Sequence, residues 1–212
     1  MNQFVPKGIV YQDDEEKLQL ESRNAILQIE FVIYTVGNWD GRKFTPELLL
    51  ECQRLAVNQI YRCAGHFRDG AVTLLGADHK PPSYDSVPLL VDEMCAYVND
   101  HWGAPPVHLA SYLMWRLNWI HPFFGGNGRT ARAVSYLVLC ARLGFVLPGR
   151  KLIPELIMEN REPYFDALRA ADDAAAQGVI DLSEMENLLS GLLSAQLVQI
   201  HEDATGIKPP LD

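Results

Sequence analysis

The sequence predicts an all-α protein, a helical bundle assembled around one central buried helix, with a small β-hairpin flap. Residues 127–143 are apolar nearly all round (Ala131, Ala133, Val134, Tyr136, Leu137, Val138, Leu139, Cys140), and a helix without a polar face belongs in the middle of a domain. Most of the remaining chain has helical periodicity punctuated by Gly or Pro. Only residues 68–83 read as extended: 71–75 is rich in β-formers, 76–78 can turn, and Pro81-Pro82 forbids a helix across it.

Taken in order, residues 1–12 form an extended arm, with Val5-Pro6 favouring non-helical backbone. Segment 13–43 is the N-terminal helix and its turn. Asp13, Asp14, Glu15 and Glu16 suit the positive helix start, and Leu18, Ile26, Ile29, Ile33 and Val36 supply the side to be buried. Thr45-Pro46-Glu47 is a cap, a first-turn proline and an acid, and opens a second helix to about Cys63, which Gly65 stops. Residues 86–101 are amphipathic through Val87, Leu90, Val91, Met94 and Val98. After Gly103, Pro105-Pro106 starts an apolar helix that carries Leu109, Tyr112, Leu113, Leu117 and Ile120 and ends at His121. Trp115 and Trp119 are packing residues, and His108 fills surface or core. Gly144 and Pro148-Gly149 end the central helix. Shorter helices follow at 153–159 and 162–177. The last, at 181–204, turns Leu182, Met185, Leu188, Leu189, Leu192, Leu193 and Leu197 inward, before a loose tail at 205–212.

The 212 residues suffice for one well-filled core, so a single domain is expected, with 44–177 at its centre. A 48% hydrophobic and 21% charged content is that of an ordinary soluble globular protein. The net charge of −9 argues against a broad nucleic-acid-binding surface and leaves room for a local basic pocket. Cys52, Cys63, Cys95 and Cys140 are scattered without CxxC spacing, which reads as free thiols rather than a zinc site. No apolar run reaches membrane-spanning length and no signal segment precedes it, so a cytoplasmic protein is expected.

Chemistry concentrates in HPFFGGNGRTAR, residues 121–132. Asn127 can cap the helix that begins there, and the first backbone N–H groups of any helix lack intrahelical partners. Gly125, Gly126 and Gly128 have no side chains to keep an anion from those donors. The positive helix end favours a phosphate. Arg129 and Arg132, three apart on one face, can hold further phosphate oxygens. His121 is the side chain that can move a proton at neutral pH. A glycine-rich turn with solvated arginines explains any one of these residues, but not all of them together.

His121, Pro122, Phe123, Gly126, Asn127, Gly128, Arg129 and Arg132 resemble the signature H-P-F-x-[D/E]-G-N-G-R-x-x-R of the Fic/Doc (Fido) family. The resemblance is sharp over 105–143 and extends over 44–177. One position departs: Gly125 stands where the family has Asp or Glu, the carboxylate that holds magnesium on the nucleotide phosphates. What the resemblance implies is a Fic-like bundle whose flap holds the modifiable segment of a target protein beside the active site. Arg161-Glu162-Pro163-Tyr164 and Ala167-Leu168 resemble the segment that closes the nucleotide pocket.

The implied activity is protein adenylylation, moving AMP from ATP to a Ser, Thr or Tyr hydroxyl. His121 would be the base, Gly126, Asn127, Gly128, Arg129 and Arg132 would bind the nucleotide, and Mg2+ would arrive on the ATP. The alternative is a nucleotide-binding regulator or weakly active pseudoenzyme, which Gly125 favours. The kinase branch typified by Doc fits less well, because Gly128-Arg129 stands where that branch has Lys-Arg. Implied partners are the target protein and a nucleotide, without nucleic acid or membrane; a homo-oligomer is compatible with the sequence. Many relatives carry an inhibitory helix, [S/T]-x-x-x-E-[G/N], whose glutamate pairs with the second arginine. The nearest stretches are 26–31, with Glu30, and 182–187, with Glu186, and both lack the Ser/Thr.

Overall fold

A computed structural model describes residues 8–74, 79–149 and 151–206. Among these residues there are eight α-helices: α1 (Asp14–Gly37), α2 (Pro46–Ala56), α3 (Val87–Asp100), α4 (Pro106–Ile120), α5 (Asn127–Leu143), α6 (Ile153–Glu159), α7 (Glu162–Ala176) and α8 (Ser183–Thr205). Helix α5 is the centre. It packs on α1, α2, α4 and α6, and each of its residues from 133 to 140 is buried. The closest partner is α4, which ends at His121, so His121 and the glycine-rich turn sit at one junction of the two best-packed helices.

The local signals act as their chemistry requires. Asp13 caps α1 by accepting from the Glu16 N–H at 2.8 Å, and Asp14, Glu15 and Glu16 occupy its first turn. Thr45 caps α2, with Pro46 following it into the first turn. Gly144, at φ +84°, closes α5 with its N–H on the Cys140 carbonyl at 2.9 Å.

Three expectations need correction. The inward stripe of α1 is Asn24, Gln28, Val32, Thr35 and Val36, while Leu18, Ile26 and Ile33 are exposed. Polar residues face inward because they meet backbone carbonyls there: Asn24 Nδ2 donates to Asn58 O at 2.8 Å, and Gln28 Nε2 to Cys52 O at 3.0 Å. Helix α2 stops at Ala56 rather than near Cys63. The chain turns away at Gln59 (φ +58°) and runs past Gly8 to Val10, forming the isolated antiparallel bridge Ile9–Tyr61.

The third correction is the flap. Its expected turn, residues 76–78, lies with residue 75 outside the described residues, and no strand forms in the described parts of 68–83. Pro81 and Pro82 have no N–H to give a ladder. Arg68 joins the two legs instead, donating from Nη1 to Gly70 O at 3.1 Å and from Nη2 to Pro82 O at 2.6 Å. The start of the expected arm, residues 1–7, likewise lies outside the described residues. The four cysteines are unpaired, and burial pushes the Cys52 and Cys95 thiols up to about 12. No helix among the described residues is long and apolar enough to cross a membrane.

Candidate functional site: a buried histidine beside a phosphate nest

His121 sits directly after α4 in the left-handed region, φ +50° and ψ +57°, with its N–H on the Leu117 carbonyl at 2.9 Å. That conformation costs a non-glycine residue roughly 1–2 kcal/mol and has to be held by its neighbours. Arg68 holds it. Only 3% exposed, Arg68 donates from Nε to His121 O at 2.8 Å and from Nη2 to Ile120 O at 3.4 Å, and its own N–H reaches Pro122 O at 2.8 Å. One guanidinium thus ties Gly70 and Pro82 to the backbone of His121. Nothing in the sequence marked this arginine; only its exclusive use of carbonyl acceptors reveals it.

The His121 ring is mostly buried, and Nδ1 has no hydrogen-bond partner among the described residues. Burial lowers its pKa to about 4; the backbone of Asn118 partly offsets this, and the nearby Arg68 and His79 add to it. At neutral pH the imidazole is uncharged, which is the form that accepts a proton.

Past Pro122 the loop is locked from within. Phe123 is fully buried beside Phe67, with ring centroids 5.8 Å apart. Asn127 accepts the Phe123 N–H on Oδ1 at 3.0 Å and returns Nδ2 to Phe123 O at 2.8 Å. The expected role of Asn127 as helix cap is therefore wrong: Gly126 is the N-cap residue, and the amide closes the loop instead. Gly126 has φ +79°, and a Cβ there would lie 2.6 Å from Val57 Cγ1, so both conformation and room require glycine. Gln53, fully buried, sets the height of the loop by donating to Gly125 O at 3.1 Å and accepting from Gly65 N–H at 2.6 Å.

The first bond across the start of α5 runs from Thr130 N–H to Gly126 O, at 2.9 Å. The N–H groups of Asn127, Gly128 and Arg129 precede it and point out of the helix end. Arg132 approaches this turn, since a Cβ on Gly128 would be 3.3 Å from its Nη1. Burial lowers the pKa of Arg132, the hydroxyl of Tyr164 supports it, and no carboxylate among the described residues pairs with it. Tyr164 is itself fixed by Asn118 Nδ2 at 2.8 Å, so the 161–164 segment does reach the motif. Arg129 is more exposed and meets Glu21 of α1 at 3.3 Å. Both arginines, with Gln28, Ile29, Tyr136 and Met158, line a cavity of about 430 Å³ between α1, α5 and α6.

The two glutamates singled out as inhibitory candidates lie elsewhere. Glu30 is exposed on α1, and Glu186 accepts from His108 Nδ1 at 2.7 Å on the α8 side. His108, whose Nε2 also meets Tyr97 OH at 2.9 Å, joins α3, α4 and α8 rather than filling space. The carboxylate brought to the motif is Glu21, which sequence reading missed because it carries no inhibitory pattern.

The family model that matches the chain is the Fic/DOC family, over residues 43–139. This is a Fic-fold chain. The protein adenylyltransferase Fic of Drosophila persimilis is 32% identical over 111 residues, which is 51% of this chain and 20% of that protein. The chain thus spans about a fifth of the length of that curated relative. Among solved structures, a Fic-domain-containing signalling protein from Bacteroides thetaiotaomicron superposes with a TM-score of 0.77 at 23% identity, covering 94% of this chain and 78% of that one. Fic-1 from C. elegans gives a TM-score of 0.70 at 20% identity, covering 97% and 56%. At such identities the structural likeness establishes the Fic fold, and the chemistry has to be argued from this chain's own residues.

A protein-held divalent cation does not fit those residues. Gly125 offers no ligand atom, the ring of Tyr61 stands where a side chain would begin, and no cluster of three His, Cys, Asp or Glu among the described residues can hold a metal.

Proposed function

We propose that the protein transfers AMP from ATP to a hydroxyl of a target protein. The observation that carries this reading is an uncharged, mostly buried imidazole at the end of α4 together with a partly buried arginine, Arg132, that no carboxylate among the described residues pairs and whose Nη1 approaches Gly128 at the start of α5. A partly buried cation held by a neutral hydroxyl and by no carboxylate among the described residues suits an anion, and the neighbouring N–H groups favour phosphate. The choice of adenylyl transfer is supported by the adenylyltransferase relatives of this segment.

In the proposed reaction His121 removes the proton of the target hydroxyl, whose oxygen attacks the α-phosphorus. The bond to the bridging oxygen breaks, and pyrophosphate leaves with the electron pair. Backbone N–H groups at 126–128 meet the charge that builds on the α-phosphate, while Arg129 and Arg132 hold the outer phosphates. The target segment approaches along residues 70–74 and 79–82, and Arg68 ties Gly70 and Pro82 to the backbone of His121.

The test is incubation with ATP labelled on the α-phosphate, followed by mass spectrometry of the protein itself and of lysate proteins. Label on protein that disappears in His121→Ala is the expected result; general-base loss lowers rates by roughly 10²–10⁴-fold. Undiminished labelling by the variant, or transfer of the γ-phosphate instead, overturns it. The glycine at 125 favours a second reading, a nucleotide-binding regulator. Calorimetric binding of ATP without modification of any protein would select that reading.

A further inference from the structure

The space over Gly125 is already filled. An ideal Cβ on Gly125 would stand 2.4 Å from Cε2 of Tyr61, 3.0 Å from Cδ2 and 3.1 Å from Cζ. Non-bonded carbons sit about 3.5–4.0 Å apart, so a side chain at 125 has to displace the ring. Gly125 is not among the positive-φ glycines, which means that room, and not backbone conformation, excludes other residues.

The backbone of Tyr61 is held in place, so only its side chain can yield to a residue at 125. Its own N–H bonds Val57 O at 3.2 Å, and the chain on either side is pinned by Val10 N–H to Ile60 O at 3.1 Å and Arg62 N–H to Gly8 O at 2.9 Å. The phenol stands half-buried in a charged neighbourhood of Lys17, Arg129 and Glu21, with Tyr11 beside it. Burial pushes its pKa up, so at neutral pH it keeps its proton and donates.

We propose that Tyr61 is a phosphate-positioning residue: its ring closes the place from which a side chain at 125 would hold a metal ion, and its hydroxyl, within the electrostatic reach of Lys17 and Arg129, donates to an outer phosphate oxygen of the nucleotide. The proposal rests on the nucleotide-transfer reading above. It makes Tyr61 and Gly125 one unit, in which a phenol ring and its hydrogen-bond donor stand where a carboxylate and its cation would otherwise be. The same chemistry accounts for a site that keeps its histidine, its asparagine and both arginines while lacking a metal ligand.

Four forms of the full chain decide it: wild type, Tyr61→Phe, Gly125→Asp and the double variant Tyr61→Ala/Gly125→Asp. Tyr61→Phe keeps the ring and removes the donor. Its affinity for ATP, by calorimetry, should fall about tenfold with adenosine binding unchanged, because only the phosphates meet the hydroxyl. Gly125→Asp should melt below wild type, and the double variant should recover most of that loss. Magnesium compared with EDTA should change ATP affinity more in the double variant than in wild type. Unchanged ATP affinity in Tyr61→Phe overturns the hydroxyl's role, as does an equal loss for ATP and adenosine. A Gly125→Asp protein as stable as wild type overturns the shared space. Failure of wild type to bind ATP would instead sink the nucleotide-transfer reading and the hydroxyl's role with it, while the melts still decide the shared space.

Discussion

The chemistry of His121 has a measurable consequence for stability. Its folded pKa, near 4, lies below the ordinary value of about 6.5. Between these values the unfolded chain binds the proton and the folded chain does not, so protons favour unfolding. The stability associated with the buried neutral ring is therefore fully present above about pH 6.5 and is lost as pH falls towards 4, by at most about 1.4 kcal/mol per pH unit. Melting curves of wild type and His121→Gln between about pH 7 and pH 4.5 isolate this contribution. The wild type should lose more stability over that range, and parallel curves would mean that the ring is not buried in solution. Arg68 acts through the same residue. Arg68→Lys keeps one charge but cannot span the carbonyls of Gly70, Pro82, Ile120 and His121. Each carbonyl left unpaired costs about 1–3 kcal/mol, so the variant should melt lower. It should also lose transfer activity more than ATP affinity, because the imidazole moves and the nest does not. Equal loss of both would assign Arg68 to general stability alone.

At the scale of elements, the turn between α4 and α5 is fixed by Asn127 rather than by a cap. Asn127→Ala strands the N–H and C=O of Phe123 inside the core, so a loss of roughly 2–4 kcal/mol and a lower melting temperature are expected. Asn127→Asp keeps the acceptor and loses the donor, and its melt should fall between wild type and Ala. The same element shows what a sequence discloses. The central helix was legible because seventeen residues without a polar face admit one placement, and the motif was legible because its chemistry is contiguous. The inward face of α1 was not, since Asn24 and Gln28 are inside only because carbonyls of the α2 region await them. Helix α2 reads too long because nothing local marks Gln59 as a left-handed position; Gln53 holds the chain beyond that turn through bonds to Gly65 and Gly125, 12 and 72 residues away. Arg68, Tyr61 and Glu21 escaped for the same reason. Each acquires its role from a partner remote in the chain, and no periodicity records that.

The molecule as a whole carries nine excess negative charges, yet its candidate site is an island of cations: Lys17, Arg129 and Arg132 near the start of α5. Helix α1 is the element that joins the two regimes. Its acidic first turn lies at the protein's rim, while Glu21 one and a half turns on reaches Arg129 at 3.3 Å. Both side chains remain about a third exposed, so the pair contributes little to folding, about 0–1 kcal/mol. Its effect on an arriving phosphate is larger in kind, because the carboxylate competes for the same guanidinium and repels the anion. Glu21→Gln should leave the melting temperature nearly unchanged while raising affinity for ATP several-fold, with a smaller gain for AMP, which lacks the outer phosphates. The gain should shrink as salt is raised, since partly exposed charges are screened over about 10 Å at 0.1 M. If Glu21→Gln lowers ATP affinity instead, the carboxylate orients Arg129 for the nucleotide rather than competing for it, and the pair is part of the binding surface.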